Sequence, residues 1–85
     1  MAGTAHSPEY RRFVDRLVTA RKEAGLSQAR LAARLGKPPS FVAKYELSER
    51  RLDVLEFVIL CRAMEVDPQN LFDALLYDLP DDARI

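Results

Sequence analysis

Apolar residues recur at helical spacing along most of this chain, and the polar residues between them mark where each helix starts and stops. Phe13, Leu17, Ala20 and Ala24, joined by Val14 and Val18, form one inward stripe on a first helix that Ser7 caps and Pro8 opens. That helix is expected to run from Pro8 to Ala24 and end at Gly25, with Arg11, Arg12, Arg16 and Lys22 on its solvated outside. Leu31, Ala32 and Leu35 repeat the spacing after Ser27, a natural cap. Gly36 then permits a sharp turn, and Val42 and Tyr45 resume a helical face behind Pro38 and Pro39. The stretch from Gln28 to Glu46 therefore reads as helix, turn, helix. Two helices so close in sequence must cross, which leaves Ser40, Ala43 and Lys44 on the outer side of the second.

Beyond a polar connection, Asp53 and Glu56 have the spacing of a capping box, and Leu52 with Phe57 that of a hydrophobic staple, so a fourth helix begins at Val54. Through Met64 it is apolar on more than one side: Leu55, Phe57, Val58, Ile59, Leu60, Cys61 and Met64 cannot all face one small core. Asp67 and Pro68 open a fifth helix, with Val66 and Leu71 as a second staple, expected to reach Tyr77 before Pro80 stops it. The pattern predicts an all-α, compact five-helix bundle over residues 8–78, between an N-terminal tail at 1–7 and an acidic tail at 79–85. Val58 and Ile59 on the fourth helix, with Leu75, Leu76 and Tyr77 on the fifth, exceed what one core can hide. They predict a two-fold homodimer through those two helices.

Composition narrows the function. At 85 residues the chain has room for one domain, and no apolar run approaches the ~18 residues of a membrane span. The N-terminus lacks the charged and apolar regions of a signal peptide, and Gly3 is one position too late for myristoylation, so a cytoplasmic protein is expected. The single cysteine, Cys61, excludes an internal disulfide and reads as a small buried hydrophobe, with the only histidine, His6, far away in the tail. No catalytic constellation is visible, so neither an enzyme nor a cofactor or metal is expected. The formal net charge of zero hides a split. Residues 1–51 hold eleven Lys or Arg against five acids, whereas residues 52–85 hold two against eight. Such a field orients a molecule on a polyanion, and the positive half contains the helix-turn-helix.

Arg21-x-x-x-Gly25-Leu26-Ser27-Gln28-x-x-Leu31-Ala32-x-x-Leu35-Gly36, followed by Ser40-x-Val42-x-x-Tyr45-Glu46, resembles the Cro/C1-type (XRE-like) helix-turn-helix family of phage and bacterial repressors. The likeness continues through Arg50-Arg51-Leu52-Asp53, Leu60 to Asp67 and Leu71-Phe72. It implies a lambda-repressor-like DNA-binding domain whose second motif helix enters the major groove of double-stranded DNA. Gln28, Ser40 and Lys44 match family positions that contact DNA. Arg50 and Arg51 match positions just past the recognition helix that touch the backbone, and Lys37 joins the candidate set. Pro39 and Ala43 stand where relatives often carry hydrogen-bonding side chains, so thymine-methyl contact or DNA shape is expected to carry more of the specificity. The resemblance also implies an ion pair between Arg21 and Glu46, the alternative being two separate surface charges. Ser48 replaces the family's usual glycine, which predicts a slightly different loop. A homodimeric repressor is the reading favoured. An antitoxin-like or coactivator-like module of the same fold, with a protein partner such as a toxin, is the alternative.

Overall fold

The computed structural model describes residues 7–85, which form five α-helices and no strand. They are α1 (Pro8–Glu23), α2 (Gln28–Arg34), α3 (Pro39–Glu46), α4 (Val54–Met64) and α5 (Pro68–Asp78). Residues 1–6, including Gly3, His6 and nearly all of the expected N-terminal tail, lie outside the described residues. Four helices start where a side-chain oxygen can satisfy a free amide. Ser7 accepts from Tyr10 N–H, Ser27 from Arg30 N–H, Asp53 from Glu56 N–H and Asp67 from Gln69 N–H. At α4 the box closes reciprocally, because the Glu56 carboxylate also accepts from the Asp53 amide.

The core sits where α1, α2, α3 and α4 converge. Val14, Leu17, Leu31, Val42, Tyr45, Leu60 and Cys61 are its largest fully buried side chains. α2 and α3 pack on each other, α1 backs α3, α4 lies against α2, and α5 bridges α1 and α4. The expected inward stripe of α1 is shorter than its spacing suggested, since Ala24 is exposed and Val18 half-buried. Ala24 is the C-cap, and after the left-handed turn at Gly25 (φ +73°) Leu26 takes the next place in the core. Cys61 is buried, and burial pushes its thiol up to about 11.

Two arginines expected on the solvated outside of α1 are structural instead. Arg16 forks onto Asp78 at 2.5 and 2.9 Å, tying α1 to the end of α5. Arg11 Nη1 donates to the Glu46 carbonyl (3.0 Å) and to Ser48 Oγ (2.7 Å). The second bond explains the loop after α3. Ser48 takes the left-handed conformation (φ +60°) that the family's usual glycine would adopt without strain. The strain of a Cβ in that region is offset by a charge-assisted hydrogen bond that glycine could not make.

Candidate nucleic-acid interface

α3 is anchored from behind. Val42 and Tyr45 are fully buried, and the Glu46 carboxylate accepts from Arg21 Nε at 2.7 Å, Arg21 Nη2 at 3.1 Å and Gln28 Nε2 at 2.8 Å. Arg21 also donates to the Leu26 carbonyl at 2.9 Å, so its guanidinium joins α1, the α1–α2 turn and α3. The two charged groups are only 10% and 7% exposed, which decides between a structural pair and two surface charges in favour of the pair. The Tyr45 hydroxyl, by contrast, is buried with no hydrogen-bond partner among the described residues, and burial raises its pKa.

With its inner face held, α3 turns the opposite side outward. Pro39, Ser40 and Lys44 are exposed, Ala43 is half-buried, and Lys37 is exposed just ahead of the helix. Pro38 offers no side-chain cap, which leaves the positive end of the helix dipole open. Arg51 is exposed with no ion pair among the described residues. Two of the sequence-predicted residues are already engaged. Gln28 is half-buried on Glu46, and Arg50 is half-buried, forked onto Glu56 at 3.1 and 2.7 Å.

A helix-turn-helix family profile matches residues 17–71. An XRE-family like protein from Pseudomonas syringae pv. tomato str. DC3000 superposes with a TM-score of 0.82 at 48% identity, over 91% of this chain and 94% of that one. The chain belongs to the Cro/C1-type, XRE-like helix-turn-helix family. No curated protein matches it. Membership makes it a DNA-binding helix-turn-helix regulator by type, built on the five-helix fold described above. Among the described residues no helix is long and apolar enough to cross a membrane, and no cluster of His, Cys, Asp or Glu could hold a metal.

Within this XRE-type frame, sequence reasoning overlooked Phe41. Its ring packs edge-on to Tyr45 and lies beneath two cations, Arg50 Cζ at 4.9 Å and Lys37 Nζ at 5.7 Å from the centroid. The signal was present in the four-residue spacing of Lys37, Phe41 and Tyr45. The five residues expected at a dimer seam fall into separate settings. Val58 lines a groove with Val54, Phe57 and Phe72, whereas Ile59 lines another with Phe41, Leu35 and Leu52. Leu75 faces Tyr10 and Phe13 of α1, and Leu76 and Tyr77 stand in solvent at 59% and 88% exposure.

Proposed function

We propose that this protein is a transcriptional repressor that works as a homodimer, inserting the N-terminal half of α3 into the major groove. The observation that carries the reading is the two-sidedness of α3: a rigidly buried back, and a front of Pro39, Ser40 and Lys44 with no packing duty. In the groove Lys44 donates to guanine O6 or N7 and Ser40 reads a base or phosphate. Pro39 and Ala43 offer apolar contact to thymine methyls. Lys37 and Arg51 supply phosphate contacts at the edges, and Gln28 reaches the backbone only with the second N–H of the amide nitrogen that already donates to Glu46.

The dimer is built on Leu76 and Tyr77 with Val58, joined by the neighbouring Val54 and Phe72. A symmetric pair reads two half-sites about 10 base pairs apart, which one short helix cannot do. Asp78, which would otherwise bring like charges together across that axis, is neutralised by Arg16. The exposed Val54 and Leu55 equally suit an antitoxin-like or coactivator-like module docking a protein such as a toxin.

Selection of bound duplexes from a random library, followed by titration of the enriched site, tests the reading. A paired half-site motif is expected, with Lys44→Ala weakening its binding by about 1–3 kcal/mol. An unenriched pool would favour the protein-docking alternative.

A further inference from the structure

The α3–α4 loop, residues 47–53, is braced at three points. Arg11 holds the Glu46 carbonyl and Ser48 Oγ, as described, and the Leu52 amide donates to the Tyr10 hydroxyl at 3.0 Å. Arg50 makes the third brace. Its two terminal nitrogens fork onto the two oxygens of Glu56, Nη1 also donates to the Arg51 carbonyl at 3.0 Å, and the guanidinium lies over the Phe41 ring. Glu56 is itself pinned by the capping box that starts α4, and the Arg50 hydrogen bonds hold its carboxyl down at about 2.

Adjacent arginines are therefore different in kind. The charge of Arg50 is cancelled at hydrogen-bond distance, and taking a phosphate would require it to leave a two-armed charge-assisted fork and an aromatic face. No described residue cancels the charge of Arg51, and its main chain is held through the carbonyl that Arg50 grips. Resting on the DNA-binding reading above, we infer that Arg50 is a positioning residue. With Glu56 and Phe41 it sets the loop so that Arg51 delivers the phosphate contact on this side of the recognition helix.

The test is the salt dependence of binding to a random-sequence duplex about three helical turns long, followed by fluorescence anisotropy. Neutralising one phosphate contributes about 0.9 to the slope of log affinity against log salt, so Arg51→Gln should lower the slope by that amount. The double variant Arg50→Gln/Glu56→Gln removes the fork without changing net charge. It should keep the wild-type slope while affinity falls about threefold to tenfold at every salt concentration, as a loop now has to be ordered on binding. Arg50→Lys keeps the charge but not the two-armed geometry, and should lose affinity like the double variant. A slope reduced by about 0.9 in the double variant, wild-type affinity in that variant, or an unchanged slope for Arg51→Gln would each overturn the inference while leaving DNA binding intact. Absence of salt-dependent binding by the wild-type chain would overturn the DNA-binding reading, and this inference with it.

Discussion

The recognition helix α3 and the last helix α5 meet the core in opposite ways. In eight residues α3 buries Val42, Tyr45 and Glu46, and full burial of apolar side chains of this size contributes about 1.5–3 kcal/mol each. In eleven residues α5 fully buries none, touching the core through half-buried Leu71 and closing on α1 through Asp78. One helix is finished by its own chain and has a small polar front to spare. The other leaves Phe72, Leu76 and Tyr77 in water, the surface on which the proposed dimer is built. Burial is thus concentrated on α3, and exposed apolar surface on α5.

Breaking the anchor of α3 should have the largest effect. Arg21→Ala or Glu46→Ala leaves a buried charge unpaired, and thermal melts should register losses of about 3–5 kcal/mol. The double variant should lose less than the two single changes combined, because they share one interaction. Next comes the open side of α5. Leu76→Glu should weaken self-association by about 2 kcal/mol or more in sedimentation equilibrium, with little change in monomer folding. Ile59→Glu, on the side of α4 that lines the Phe41 groove, should have a smaller effect; the opposite ranking would move the seam to that side of α4.

Much of this contrast was legible along the chain. The caps at Ser7, Ser27, Asp53 and Asp67 depend on side chains within three residues of the amides they satisfy, so spacing alone located them. The Arg21–Glu46 pair, 25 residues apart, was reached only through family resemblance. Arg11 with Ser48, Arg16 with Asp78 and Arg50 with Glu56 were not anticipated. A long arginine side chain carries no periodic mark of its partner, and on a helix drawn alone it looks solvated. The charge division between the chain's halves was read as a separated field. Three ion pairs, Arg16–Asp78, Arg34–Glu65 and Arg50–Glu56, partly neutralise it across the fold.

Smaller perturbations sharpen the picture around α3. Ser48→Ala should cost about 1 kcal/mol by removing the acceptor for Arg11 while keeping the left-handed backbone. Ser48→Gly loses the same bond but relieves a strain of about 1–2 kcal/mol, so chemical denaturation should find it near neutral. The weakest effect concerns acid. The Glu56 carboxyl is held at about 2 in the folded protein against an ordinary 4.5, so its contribution is fully present above pH 4.5 and disappears as pH falls through about 2. Glu56→Gln should flatten stability over that window by under ~1 kcal/mol, given a pair at the solvent boundary.

The placement of the tyrosines makes the molecule its own optical instrument. The chain has no tryptophan and three tyrosines, so its near-ultraviolet emission comes from Tyr10, Tyr45 and Tyr77 alone. Tyr45 is sealed in the recognition helix, whereas Tyr77 is 88% exposed on α5. A dissolved quencher such as iodide therefore reaches the α5 signal and not the α3 signal in the intact monomer. Docking of a partner on α5 would shield Tyr77 and reduce the quenchable fraction, and loosening of α3 would raise it by admitting iodide to Tyr45. The direction of the change in one unlabelled sample then tells which of the two regions has responded, with half-buried Tyr10 as background.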